Sequence, residues 1–180
     1  GYAFDFEWSN KNLFYGQYAR SRSYFDNSEL AATGLPGPDE LKLLEPFKGK
    51  IPDKVFTKSY SPQTGGGPKP LRKNLRIAGK LLKEAGWVIK DGKRVNAETG
   101  KALEFEVLLV SPLFERVVLP FAKNLEKLGV KISVRTVDSS QYRRRLQTYD
   151  FDMIVSGFGQ SLSPGNEQRN YWGSTAADLE

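Results

Sequence analysis

The chain has 180 residues, of which 39% are hydrophobic and 12% aromatic, and its mean hydropathy is -0.50. This composition is typical of a globular chain and predicts one domain, or one domain with a small appendage, rather than a disordered or membrane-spanning segment. The sequence contains neither cysteine nor histidine, which excludes disulfides, His-based catalytic triads and zinc sites with Cys or His ligands.

The net charge is +6, and the sequence pI is about 9.4. This balance permits an anionic partner such as nucleic acid. The basic excess lies after Ser61 and is spread over several segments. The run Arg143–Arg145 falls on a predicted helix, where consecutive side chains point about 100° apart. We therefore expect a solvated helix face and no nucleic acid partner, with a basic nucleic-acid-binding α/β domain as the alternative.

The first part of the chain combines two predicted helices with turn-rich segments. Residues 3–16 read as a helix, and 39–47 as a second helix opened by two acidic residues. An aromatic-rich connector, 15–25, follows the first helix. The segment SPQTGGGPKP, 61–70, is interpreted as a mobile surface loop.

Residues 70–86 are predicted to form an amphipathic helix that is followed by a hairpin. Pro70 stands in the first helical position and Gly86 at the end. The pair Asp91-Gly92 then predicts a two-residue type I′ turn. The inner face of the helix is expected to pack in the core with Trp87, and it contains Leu75, Ala78 and Leu82.

The rest of the chain alternates strands with helices. The predicted elements are a mid-sheet strand at 103–110, a helix at 113–128, a strand at 130–137, a short helix at 139–148 capped by Asp138, and a buried strand at 152–158. This order is the crossover pattern of a parallel α/β sheet.

A polar segment follows the last predicted strand and is the first candidate for a ligand site. In open α/β sheets, ligands bind beyond the carboxyl ends of the strands, so we interpret Gly159 to Trp172 as a loop that forms one wall of a site. Trp172 is expected to anchor the loop, and the alternative is a plain surface loop. The candidate ligand-binding residues are Gly159, Gln160, Ser161, Ser163, Asn166, Glu167 and Arg169. A second candidate wall lies in the early connector and consists of Tyr18, Ser23 and Tyr24.

Several motifs in concert resemble one protein family. They are AFDFEWSNKNLFYGQYARSRSYF (3–25), LLKEAGW (81–87), KDGK (90–93), NLEKLGVKISVRTVDSSQYRRRL (124–146), DFDMIVSGFGQS (150–161) and SLSPGNEQRNYWGS (161–174). Together they resemble the family 5 extracellular solute-binding proteins of ABC transporters, and the first and last resemble the peptide and microcin C branch.

The resemblance implies a fold and a role. It implies an α/β fold, a single type II-like lobe of a periplasmic binding protein, with a mixed sheet of parallel strands and flanking helices. Residues 1–180 would form most of the second lobe of a truncated two-lobed protein, with 179–180 a possible vector scar. The implied protein is a periplasmic receptor, not an enzyme, with no cofactor. Its partners would be a peptide or modified peptide, a membrane permease and the missing first lobe.

The resemblance also has one departure. In di- and oligopeptide members, an aspartate a few residues past the glycine that matches Gly157 pairs with the ligand's free amino terminus. The matching position here is near Ser161, and no acid occurs before Glu167. A neutral hydroxyl does not supply a charge-assisted bond. An α/β enzyme domain is a further alternative, although GGG at 65–67 lacks the Lys-Ser/Thr of a phosphate-binding loop.

Overall fold

The computed structural model describes residues 1–161 and 163–178. The chain divides into two compact units, one of Gly1–Ala19 with Gln63–Val155 and one of Arg20–Pro62 with the chain from Ser156 onward. The expected vector scar at 179–180 lies outside the described residues. In chain order the helices and strands are α1 (Phe6–Leu13), α2 (Pro38–Leu44), α3 (Lys54–Thr57), α4 (Pro68–Glu84), β1 (Trp87–Lys90), β2 (Lys93–Asn96), β3 (Glu104–Leu109), α5 (Glu115–Glu126), β4 (Lys131–Thr136), α6 (Ser139–Gln147), β5 (Met153–Ile154) and α7 (Asn166–Trp172).

The first unit contains a parallel sheet with strand order β4-β3-β5. β3 is the central strand of the three, as its apolar sequence predicted, and it runs parallel to both neighbours. Its residues Val107, Leu108 and Leu109 are all buried. Val107 and Leu109 form a core cluster with Val118 of α5. The predicted alternation of strands and helices, and with it the mixed α/β fold class, is confirmed.

The prediction of a long strand at 152–158, buried on both faces, is wrong. β5 has two residues, and it pairs with β3 only through Val107 with Met153 and Leu108 with Ile154. Met153 and Val155 are both exposed. The apolar run Met153–Val155 favours a strand, but in the described sheet it lies at the edge, where one flank has no strand to cover it.

The predicted mobile loop before α4 is held by two carboxylates, one from the residue that caps α1 and one from its first turn. Asp5 accepts hydrogen bonds from the backbone N–H groups of Trp8, at 3.0 Å, and Gly66, at 2.8 Å. Glu7 accepts one from the N–H of Gly65 at 2.6 Å. α4 then begins at Pro68, two residues earlier than predicted. The backbone N–H groups of Gly65 and Gly66 therefore hold this loop in place. No local sequence pattern indicates these contacts, because the partners are 58 and 61 positions apart in the chain.

The β1–β2 hairpin has the predicted turn and is joined to the end of α5. Asp91 and Gly92 have φ angles of 49° and 75°, as a type I′ turn requires. The buried side chain of Arg94 donates to the carbonyl oxygens of Leu128, at 2.9 Å, and Trp87, at 3.2 Å. This guanidinium therefore connects the hairpin to the segment that leads into β4.

The inner face of α4 is less buried than predicted. Leu75, Ala78 and Leu82 are half-buried, and Trp87 at the start of β1 is half-buried as well. The fully buried core lies on β3 and α5 instead, where Leu108 has no exposed surface. The expected packing of this face in a closed core is therefore wrong for the described residues.

One arginine of the run 143–145 is part of an ion-pair network. Arg145 lies 2.9 Å from Glu106 of β3 and 2.9 Å from the side chain of Asp150, and it also donates to the backbone oxygen of Asp150 at 2.8 Å. Its side chain is only 15% exposed. Arg143 and Arg144 are exposed, as expected of a solvated face.

Candidate ligand-binding site

The polar segment after β5 belongs to the second unit and is only partly a loop. The predicted loop ends early, because Asn166–Trp172 forms helix α7. Gly165 precedes the helix, Glu167 lies in its first turn, and Gly173 follows it. The residues on α7 are mostly compatible with a helix, so the loop interpretation, which relied on their polarity, is wrong for this half.

Three side chains of the second unit form a hydrogen-bonded chain, which we call the Gln160 network. The side-chain nitrogen of Gln168 donates to the side-chain oxygen of Gln160. The nitrogen of Gln160 donates in turn to the hydroxyl oxygen of Tyr24. The network connects two residues that were predicted separately, Gln160 in the loop and Tyr24 in the early connector, and it adds Gln168. No pattern in the sequence indicates Gln168, because its partner is set by the fold of the segment before α7.

Glu167 binds groups of its own segment. Its carboxylate accepts hydrogen bonds from the Ser161 hydroxyl at 2.7 Å, the Gly165 N–H at 3.1 Å and the Ser161 N–H at 3.4 Å. The Ser161 hydroxyl also lies within hydrogen-bonding reach of the Ser163 carbonyl oxygen and donates its one hydrogen to either acceptor. The hydrogen bond from the Ser161 side chain, with those from backbone N–H groups, lowers the pKa of Glu167 to about 2.

Four aromatic rings, which we call the aromatic cluster, pack behind this segment. Trp172 lies edge-on to Tyr24, with ring centroids 5.2 Å apart, and it also contacts Phe158 at 5.5 Å. Tyr171 packs edge-on against Phe158 at 5.4 Å. Edge-to-face aromatic pairs of this kind stabilise a fold beyond the area that they bury. The packing of Trp172 is that expected of an anchor for the segment.

The remaining candidate residues lie in different surroundings. Tyr18 belongs to the first unit, where its ring packs on Phe14 and its backbone is held by the Asn10 side chain. The hydroxyl of Ser23 accepts from the N–H of Ala32 at 2.9 Å, so it stabilises its own turn. Among the described residues, Asn166 and Arg169 make no side-chain hydrogen bond and are exposed on α7. A Cβ on Gly159 would meet no atom within 4 Å, so this backbone is open.

A groove of about 680 Å³ lies in the first unit, apart from every candidate residue. Its walls are largely apolar and include Phe4, Trp8 and Leu119. Arg116 and Lys123 of α5 also line it. Ligand sites in proteins combine apolar walls with a few convergent polar groups. Asp5, the carboxylate of this groove, is already engaged by the backbone of Gly66. The groove therefore joins apolar walls to charged side chains, among them Arg116 and Lys123, and none of the ligand-binding residues predicted from the sequence lines it.

Neither a metal centre nor a membrane segment was found among the described residues. No group of three or more acidic side chains able to hold a metal ion occurs in residues 1–161 and 163–178. No helix within those ranges has the length and apolar character needed to cross a membrane.

The fold is that of the periplasmic binding proteins. A crystal structure of a periplasmic oligopeptide-binding protein from Thermotoga maritima, in complex with mannohexaose, aligns with 99% of this chain at a TM-score of 0.60. The match has 20% identity and covers 30% of that protein. At this identity the likeness shows the fold alone. The expected fold class is confirmed.

The chain belongs to the bacterial extracellular solute-binding proteins, family 5, because the model of the family's middle region matches residues 1–179. It is 51% identical over 98% of its length to an uncharacterized protein, y4wM, of Sinorhizobium fredii. It is 47% identical over 99% of its length to the probable peptide-binding protein YejA of Agrobacterium fabrum. The chain spans 26% and 29% of the length of these two curated relatives. The resemblance stated from the sequence motifs is confirmed, and the family consists of solute-binding proteins rather than enzymes.

Proposed function

We propose that this chain is part of a periplasmic receptor that binds peptides or modified peptides and delivers them to the membrane permease of an ABC transporter. The observation that carries the proposal is the 47% identity, over 99% of the chain, to a protein named as a probable peptide-binding protein. Membership of family 5 supports the same role, because proteins of this family are extracellular or periplasmic solute-binding proteins.

In this proposal the ligand contacts the second unit at the Gln160 network. The Tyr24 hydroxyl, positioned by the Gln160 amide, supplies a neutral hydrogen-bonding group, which suits the backbone of a peptide. The aromatic cluster holds these groups in place, and the exposed Asn166 and Arg169 of α7 add further polar contacts. Gly159 leaves its backbone accessible to the ligand.

The proposed receptor has two lobes, and this chain supplies most of the second. A receptor that closes over its ligand buries about 70 to 90% of the ligand's surface, whereas one wall buries far less. We therefore expect this chain alone to bind peptides weakly and the full-length protein to bind them tightly. The first lobe and the permease are the partners that the proposal requires.

A basic nucleic-acid-binding domain is less well supported. Phosphate binding needs clustered, available cations. Arg145 is instead engaged by Glu106 and Asp150, which leaves only Arg143 and Arg144 of the basic run exposed.

The proposal is tested by calorimetric titration of the full-length protein with a library of di- to hexapeptides, and of this chain alone with the same library. We expect saturable binding by the full-length protein that changes little between low and high salt, and much weaker binding by the chain alone. Affinity for a single-stranded oligonucleotide that falls steeply with salt, with no peptide bound, would favour the nucleic acid alternative.

A further inference from the structure

The Gln160 network has a direction. A glutamine side chain donates through its nitrogen and accepts through its oxygen, so the order of contacts fixes which atoms remain free. Gln168 donates to Gln160, and Gln160 donates to the Tyr24 hydroxyl oxygen. The hydroxyl is therefore the acceptor of this hydrogen bond, and its own hydrogen is not used in it.

The hydrogen of Tyr24 is available to a ligand. Among the described residues, the Tyr24 hydroxyl donates to no acceptor, and the residue is 41% exposed. Its ring is fixed edge-on against Trp172, at 5.2 Å, and against Phe25, at 5.1 Å. A hydroxyl that is held in position and already accepts a hydrogen bond from a neighbouring side chain keeps its own hydrogen to donate to an adjacent acceptor.

The carboxylates closest along the chain to the network's residues are engaged elsewhere. Glu167 accepts from Ser161 and Gly165. Asp26 accepts from the backbone N–H of Arg22 at 2.6 Å and from that of Ser23 at 3.1 Å. A ligand ammonium is bound best by a free carboxylate, through a charge-assisted hydrogen bond. Both acids instead stabilise turns of their own backbone.

We propose that Tyr24, oriented by Gln160, binds an oxygen acceptor of the ligand, either a peptide carbonyl or a terminal carboxylate, and that the free amino terminus is not recognised at this position. The inference rests on the proposed peptide-binding function and specifies the chemical group that this part of the site selects. Gln160 is a positioning residue here, because it acts through the Tyr24 hydroxyl.

The test uses tetra-alanine in three forms, free, N-acetylated and C-amidated, titrated into the full-length protein by calorimetry. We expect acetylation to change the dissociation constant less than about threefold, because no charge-assisted bond to the amine is lost. A loss on amidation would assign the acceptor as the terminal carboxylate, and equal binding would assign it as a peptide carbonyl. Either result agrees with the proposal.

Two variants test the orientation of the hydroxyl. Tyr24→Phe removes the donor, and Gln160→Glu replaces the amide by a carboxylate that accepts the Tyr24 hydrogen and so withdraws it from the ligand. We expect both to weaken binding of free tetra-alanine, which carries both kinds of acceptor, about 5- to 100-fold, the range for leaving a ligand acceptor unpaired. Tyr149→Phe, which removes an exposed hydroxyl from the first unit, is the matched control and should bind as the unmodified protein does.

The outcomes separate this inference from the proposed function. If free tetra-alanine binds, acetylation abolishes binding and Tyr24→Phe has no effect, the inference is overturned while the peptide receptor stands. If neither these three peptides nor any member of the di- to hexapeptide library binds the unmodified protein, the peptide receptor fails and the inference fails with it. Melting temperatures of the variants show whether any loss of affinity comes from unfolding.

Discussion

A Cβ atom on Gly65 would overlap the Oδ1 atom of Asp5, so the space between these two residues admits no side chain. Asp5 caps helix α1 through the Trp8 N–H and also accepts from the N–H of Gly66. The glycine segment therefore depends on close contact between its backbone and one carboxylate, and the start of α4 depends on that segment.

Gly65→Ala should lower the free energy of unfolding of the full-length protein by about 1 to 3 kcal/mol, the usual cost of overfilling a packed site. The new methyl group must displace the Asp5 carboxylate, which then loses the hydrogen bonds that it accepts from the N–H groups of Trp8 and Gly66. Gly34→Ala is the matched control, since nothing lies within 4 Å of a Cβ there. Equal denaturant midpoints for the two variants would show that the segment is not held by Asp5.

Arg94→Met should cost about 1 to 3 kcal/mol of stability, because it leaves the carbonyl oxygens of Leu128 and Trp87 without their guanidinium donor. The exposed neighbour Lys93 offers a comparison with the same change in charge, and Lys93→Met should be nearly neutral. Chemical denaturation of both variants measures the difference. A similar, small effect in both would contradict a structural role for Arg94.

The Glu167 contacts should depend on pH in the acid range. Hydrogen bonds from Ser161 and from backbone N–H groups lower the pKa of Glu167 from 4.5 to about 2. A carboxyl whose pKa is lower when folded stabilises its segment fully above the unfolded pKa, and this contribution is lost as pH falls from about 4.5 to about 2. The amide chemical shifts of Ser161 and Gly165 should therefore titrate near pH 2.

Glu167→Gln is the control for this titration, because it removes the ionisable group and keeps the shape of the side chain. In that variant the Ser161 and Gly165 amide shifts should stay constant over the same range. A midpoint near 4.5 in the unmodified protein would mean that Glu167 faces solvent and is available to a ligand ammonium, contrary to the geometry.

Much of the fold follows from local sequence. The apolar strand at 104–109 and the Asp91-Gly92 turn were predicted because strand burial and turn type depend on a few neighbouring residues. The anchoring of Gly65 by Glu7 was not predicted, because it joins residues 58 positions apart. Helix α7 was read as a loop because polar residues and glycines are shared by loops and exposed helices.

The candidate site was only partly predictable for a similar reason. Polarity beyond a strand indicated Gln160 and the aromatic connector indicated Tyr24, but their hydrogen bond spans 136 positions. No local pattern reports such a contact. The same limit explains why Ser161 and Glu167 were both predicted as ligand contacts, although they bind each other.

The central claim, that peptides bind at the Gln160 network, is tested most directly by comparing Gln160→Ala with Leu119→Ala in the full-length protein. Gln160 is chosen alone because Ser161 also holds Glu167. Leu119 lines the separate groove of the first unit and is 47% exposed.

The affinities of both variants are measured by calorimetric titration with a peptide that the unmodified protein binds. Gln160→Ala should weaken binding by about 1 to 3 kcal/mol, the cost of leaving polar groups unpaired in a closed site, with the melting temperature unchanged. Leu119→Ala should leave the affinity within about twofold, as expected of a residue outside the site. Lost binding in Leu119→Ala together with unchanged binding in Gln160→Ala would place the ligand in the groove and contradict the account.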